Sequence, residues 1–185
     1  MRETAKVIGI VASPRRGGNT DLLIDAMLAG AHAAGATVEK VHLGDVDLRF
    51  CQGCERCQKT GTCVIEDGLS PVFRAMASST AWILGSPVYV HAPTAQCKAF
   101  IDRWYGAGSE PFVGKRVAVV IPFADSDEQT GERSRAFLEG VLRWKHADHV
   151  STLLAPGVWA PGVVRTRVDL LERARDVGQK LVHGS

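Results

Sequence analysis

The chain has 185 residues, 45% of them hydrophobic and 23% charged, ordinary globular values that fit one domain (1–185) able to bury a core without a disulfide or metal staple. Its 22 lysines and arginines against 20 aspartates and glutamates leave a formal charge of +2, too small and too dispersed to argue for nucleic acid. No apolar run approaches the roughly 20 residues that a membrane helix needs, and the apolar stretch near the start is too short for a signal-peptide core, so a cytoplasmic protein without a membrane partner is expected.

In chain order, Val7, Ile8, Ile10 and Val11 form a nearly continuous apolar run, as in a strand covered on both faces. The polar loop SPRRGGNT (13–20) follows, and then Leu22, Leu23, Ala26, Met27 and Ala31 recur at helical spacing. TVEKVHL (37–43) alternates and reads as a more exposed edge strand. The stretch from Gly44 to Asp67 is polar and holds four of the five cysteines; it is too long for a plain loop in a compact domain. Ser70-Pro71 predicts a helix start with serine as N-cap. TAWILGS (80–86) is a third strand, PVYVHAP (87–93) a loop, and TAQCKAFIDRWY (94–105) a helix. RVAVVIPF (116–123) is a fourth strand, followed by a polar stretch, a helix over 131–144, a weaker strand over 149–155 and a last helix over 165–182.

Alternating strands and helices predict an α/β fold: a doubly wound five-stranded parallel sheet of order 2-1-3-4-5, with a cysteine-rich insertion at about 44–67 after strand 2. Ligands of such sheets sit beyond the carboxyl ends of strands 1 and 3, where the strand order reverses. SPRRGGNT and SPVYVHAP fall at that point. In the first loop, Gly17 and Gly18 allow a tight turn, Asn19 or Thr20 can cap the helix, Arg15 adds a forked cation, and Ser13 and Thr20 add hydroxyls. Together they describe a phosphate cradle at a helix N-terminus. It is neither a Walker loop nor a GxGxxG turn. A helix terminus contributes only about 0.3–1 kcal/mol toward an anion, whereas micromolar retention needs about 8 kcal/mol. A second loop must therefore clasp a large apolar group, and Val88, Tyr89 and Val90 after Pro87 suit a flat ring. FMN has that shape.

GIVASPRRGGNT and GSPVYVHAPTAQCKAFIDR resemble the two signature loops of the NAD(P)H-dependent FMN reductase family, which has a flavodoxin-like fold. The resemblance runs from about residue 5 to 123, with Ala12 in place of the usual first glycine. It implies that Ser13, Arg15, Gly18, Asn19 and Thr20 hold the FMN phosphate, that Pro87, Val88, Tyr89 and Val90 border the ring, and that Ala124 to Thr130 approach from a third side. It also implies NAD(P)H as co-substrate, a small-molecule electron acceptor, and a homodimer or homotetramer.

Cys51, Cys54, Cys57 and Cys63 have the spacing C-x2-C-x2-C-x5-C. Three evenly spaced thiolates suit three corners of an iron-sulfur cubane, with Cys63 as the fourth ligand. Structural zinc more often uses two separated pairs. The run resembles the compact motif of the iron-sulfur flavoprotein branch of the same family, which implies a 4Fe-4S cluster beside the FMN and a ferredoxin-like carrier as electron partner. Free or disulfide-forming thiols and a zinc site stay open as readings, and with the thiols a non-enzymatic, flavin-binding redox sensor. Cys97 reads as a small core residue and His91 as a loop histidine, with proton delivery as its alternative. Trp82, Trp104, Trp144 and Trp159 read as packing or interface residues, Trp104 with an option at an inter-subunit pocket.

Overall fold

A computed structural model describes residues 4–183. Five strands form one parallel sheet: β1 (Lys6–Val11), β2 (Thr37–His42), β3 (Ala81–Gly85), β6 (Arg116–Pro122) and β7 (Asp148–Ala155), in the order β2-β1-β3-β6-β7. Counting sheet strands alone, this is the expected 2-1-3-4-5, and the architecture is flavodoxin-like.

Alternation along the strands divides the core in two. Val7, Val11, Ile83, Ala118 and Val120 face helices α1 (Asn19–Ala33) and α6 (Val168–His183). Ile8, Ile10, Trp82, Leu84, Val119 and Ile121 face α3 (Leu69–Ser78), α4 (Ala95–Asp102) and α5 (Gln129–Trp144). Trp82, Phe100, Trp104 and Phe112 fill this second layer with edge-on and tilted ring contacts, centroids 5.0 to 6.2 Å apart. Such packing adds about 0.5–1.5 kcal/mol per pair beyond burial. Trp104 is therefore a core residue, fully buried within the chain, and Cys97 is likewise fully buried.

Several local expectations need correction. Helix α3 begins at Leu69 behind Gly68, not at a Ser70 cap: the Asp67 carboxylate accepts the Leu69 amide at 3.1 Å, and the helix starts two residues earlier than the Ser-Pro signal suggested. The last helix starts at Val168 after a 3-10 turn over Val163–Thr166, and the helix of Cys97 passes into a 3-10 turn over Arg103–Gly106. Within the cysteine-rich stretch lies one short helix, α2 (Arg56–Thr60). The stretch expected as a loop after β3 is a small antiparallel hairpin, β4 (Val88–Tyr89) against β5 (Ala92–Pro93). Its two-residue tip, Val90 and His91, has φ of 48° and 63°, the pattern of a type I′ turn.

Candidate functional site

The loops after β1 and β3 meet where the sheet order reverses. Gly17 takes φ +65°, and a Cβ on Gly18 would lie 3.0 Å from the Arg15 carbonyl oxygen, so a side chain there would crowd the turn. Gly18, rather than Asn19 or Thr20, is the N-cap of α1. The amides of Asn19 and Thr20 open the helix and have no intrahelical acceptor, which leaves them to an anion. Thr20 and Ser13 are nearly buried, and Ser13 Oγ accepts the Arg15 amide at 3.3 Å. Gly85 lets the helix start sit this close to the sheet: a Cβ there would lie 2.8 Å from Thr20 Cγ2 and 2.6 Å from Ile24 Cδ1.

Behind the loop sits a charged group that sequence reasoning missed. Asp21 accepts the Gly17 amide at 2.7 Å, Lys40 Nζ at 2.7 Å and lies 3.1 Å from His42 Nε2. Burial pushes its carboxyl up, but the Lys40 and Gly17 hydrogen bonds and the His42 charge outweigh that and hold it below the usual carboxylate range.

The two loops border a cavity of about 300 Å³ lined by Ser13, Arg15, Gly18, Asn19, Thr20, Pro87, Val88 and Tyr89, a size suited to a small organic ligand. Of the expected ring-bordering residues, Val90 is the exception. It stands at the hairpin tip, 94% exposed and away from the cavity, because the type I′ turn carries it outward. His91 shares that tip and is exposed. Of the anticipated third side only Ala124 reaches the cavity, together with Pro122 and Phe123.

A fourth wall, Val158, Trp159 and Pro161, follows β7. Asn19 builds it: its Nδ2 donates to the carbonyls of Val158 (2.9 Å) and Ala160 (3.0 Å), and its Oδ1 accepts the Val164 amide at 3.1 Å. The Asn19 side chain is thus spent on bracing this wall, so only its backbone amide is free for a phosphate. Trp159 is 80% exposed yet lines the cavity. The signal that was available is its place beyond the carboxyl end of a parallel strand.

The four cysteines of the insertion line one small cavity of about 20 Å³ with Val64, Ile65, Arg103, Tyr105 and Gly106. All four are free thiols. The chain coils around them through left-handed Gly53 and Glu55 (φ 62° and 55°). Gly106, at the end of the turn after α4, abuts them: a Cβ there would lie 3.0 Å from Cys63 Cβ and 3.2 Å from Cys57 Cβ. Among the described residues, no three His, Cys, Asp or Glu side chains converge tightly enough for a single metal ion. One tetrahedral zinc would need all four sulfurs about 2.3 Å from one point, whereas a cubane spreads its ligands over separate iron corners. Four thiols around one hollow are a donor set suited to such a cubane. Hydrogen bonds from the Arg56 amide and side chain hold the exposed Cys54 thiol below the usual range. Burial opposes the Arg103 charge, but the Asp67 carboxylate and, less strongly, the Cys63 sulfur raise its pKa above the ordinary value.

Residues 5–155 match the family model described as NADPH-dependent FMN reductase. An iron-sulfur flavoprotein of Archaeoglobus fulgidus is 39% identical over 177 residues, covering 95% of this chain and 78% of the relative. One of Methanocaldococcus jannaschii is 33% identical over 183 residues, covering 95% of each. Among solved structures, an NAD(P)H:quinone oxidoreductase from Methanothermobacter marburgensis superposes with a TM-score of 0.80 at 20% identity, over 99% of this chain and 98% of that one. A flavodoxin from the domain Archaea reaches 0.62 at 13% identity, over 96% of each chain. No described helix is long and apolar enough to cross a membrane. With a cavity at the switch point, a phosphate-suited helix start and a match that spans both loops, the chain belongs to the NADPH-dependent FMN reductase family, in its iron-sulfur flavoprotein branch, and is an FMN-dependent oxidoreductase.

Proposed function

We propose that the protein moves electrons between a carrier such as a ferredoxin and FMN through a 4Fe-4S cluster held by Cys51, Cys54, Cys57 and Cys63, and so on to a small-molecule acceptor. The observation that carries this reading is the gathering of all four cysteines around one hollow, in a chain with a separate FMN-sized cavity. The names of its relatives in the curated proteins support it. The FMN phosphate is assigned to Ser13, Arg15, Gly18, Thr20 and the amides that open α1; Pro87, Val88, Tyr89 and Trp159 border the ring. FMN itself would supply hydride acceptance and one-electron exchange, so no side chain need be a catalytic acid. The chain's part is to seat the phosphate, orient the ring against the second loop and exclude water on the Phe123 side. NADH or NADPH as hydride donor belongs to the same reading, as does a homo-oligomer, supported by the exposed stack of Tyr105 on Trp144 with centroids 5.7 Å apart.

A second reading is favoured by the exposure of Cys51 and Cys54 and the lowered pKa of Cys54: a thiol switch in a flavin-binding sensor. An anaerobic absorption spectrum with iron and sulfide analysis separates the two. Flavin bands with a broad iron-sulfur shoulder, four irons per chain and loss of the shoulder in Cys51→Ala support the relay. Flavin bands without iron, and a reversible disulfide without NAD(P)H turnover, support the sensor.

A further inference from the structure

Among the described residues three buried side-chain nitrogen or oxygen atoms lack a hydrogen-bond partner: Arg103 Nε, Trp104 Nε1 and Ser134 Oγ. Only Arg103 is charged, and only Arg103 lines the cysteine hollow. Its side chain is 3% exposed and paired with a fully buried Asp67.

The guanidinium has five N–H groups. Nη1 donates to the Arg49 carbonyl at 2.8 Å and to Asp67 Oδ2; Nη2 donates to the Ile65 carbonyl and to Asp67 Oδ1, each at 3.3 Å. Asp67 in turn accepts the amides of Arg49 (3.0 Å) and Leu69 (3.1 Å). The Arg103–Asp67 pair thus ties together the two ends of the segment that carries Cys51 to Cys63 and fastens both to the end of α4. Four N–H groups serve that purpose. The fifth, on Nε, is buried and without a partner in a residue that lines the cysteine hollow, although a donor of a charged group is costly to leave unmade.

We infer that Arg103 is a positioning and tuning residue for the cysteine-bound cluster: its Nε–H is reserved for a cluster or cysteine sulfur, and its fork with Asp67 sets the span over which the four thiols meet. This rests on the reading of the cysteines as cluster ligands. Because Asp67 cancels the net charge of the guanidinium, the effect on the cluster comes from the Nε–H dipole. Hydrogen bonds to sulfur favour the reduced, more negative cluster and so raise its potential.

The test uses the full chain with its cluster reconstituted anaerobically. In protein labelled with 15N-arginine, pulsed EPR of the reduced cluster is expected to show a 15N coupling that disappears in Arg103→Lys. EPR-monitored redox titration of Arg103→Lys, and of Arg103→Gln combined with Asp67→Asn so that no buried carboxylate loses its partner, is expected to show cluster reduction at least tenfold less favourable. For a one-electron couple that is about 59 mV lower. A wild-type cluster without a 15N coupling overturns the inference, as does Arg103→Lys at the wild-type potential, since charge alone would then suffice. If the Arg103 variants fail to load iron, the coupling in labelled Arg56→Lys protein decides, because there neither the amide nor the side chain beside Cys54 carries the label. Wild-type protein that takes up no iron and sulfide sinks the cluster reading itself and this inference with it, an outcome distinct from a loaded cluster that ignores Arg103.

Discussion

Thr94 Oγ1 donates a 2.6 Å hydrogen bond to the Ala12 carbonyl, joining the start of α4 to the end of β1. The same hydroxyl accepts the Cys97 amide at 3.2 Å as the N-cap of α4, and the Thr94 amide is held by Ser86 Oγ at 3.0 Å. Ala12 also donates its amide to the Gly85 carbonyl at 2.8 Å. One buried side chain therefore fixes the second loop against the first, and the spacing of the two jaws depends on it.

Thr94→Ala removes a helix cap and leaves the Ala12 carbonyl without its partner in a buried place. A loss of about 2–3 kcal/mol is expected, read from urea denaturation, with weaker FMN retention read from flavin fluorescence. Thr94→Ser, which keeps the hydroxyl, should recover most of both. Equal losses in the two variants would mean that the methyl packing, not the hydrogen bond, holds the loops.

Val90 is a β-branched residue in the left-handed region, where L side chains are strained by about 1–2 kcal/mol. Glycine relieves that strain but costs about 0.5–1 kcal/mol of unfolded-chain entropy. Val90→Gly is therefore expected to leave stability level or raise it by up to about 1.5 kcal/mol in a thermal melt. FMN affinity should not change, because the side chain faces solvent rather than the cavity. A marked drop in affinity would restore Val90 to the ring-bordering set.

The folded-state pKa of Asp21 lies below its unfolded value near 3.8. Its contribution to stability is consequently whole at neutral pH and is lost as pH falls through the folded pKa. Asp21→Asn, which keeps one acceptor oxygen but loses the charge that pairs with Lys40, should cost about 1–2 kcal/mol at pH 7, and the gap to wild type should narrow as pH falls past the unfolded value near 3.8 and close below the folded pKa. Denaturant midpoints across pH 2–7 measure it. A gap that persists at the acid end would show that the loss is one of packing rather than charge.

Gly106 is pressed against Cys57 and Cys63, and its φ is not in the left-handed region, so Gly106→Ala tests space alone. The added methyl must push the two cysteine Cβ atoms away. Iron content after anaerobic reconstitution is expected to fall well below the wild-type level while the far-UV circular dichroism and FMN content stay unchanged. Wild-type iron loading would mean that the hollow is more pliant than its contacts suggest.

Much of this fold is legible in one dimension because its signals are local. A strand buried on both faces must read as an apolar run, as Val7 to Val11 does, and an amphipathic helix must repeat its apolar side, as Leu23, Met27 and Ala31 do. The parallel order then places SPRRGGNT and SPVYVHAP at one rim, since right-handed crossovers leave few other arrangements. The four cysteines are close in the chain, and a shared hollow follows from their spacing.

The rest depends on partners far away in sequence. Asn19 is a residue type suited to a phosphate, but its side-chain amide is claimed by carbonyls 139 and 141 residues later, and only the folded sheet brings them within reach. Val90 sits among true cavity residues in the sequence, yet a hairpin turn whose φ angles no side-chain pattern announces carries it into solvent. Arg103 reads as one more charge at a helix end until Asp67, 36 positions earlier, folds onto it and fixes it in the wall of the cysteine hollow. The sequence by itself determined which chemistry the chain carries, because donors, glycines and thiols are written in residue types and short spacings. Tertiary structure alone decided which of those groups remain free to use it, because a hydrogen-bonding group is available to a ligand only when no distant part of the chain has already claimed it.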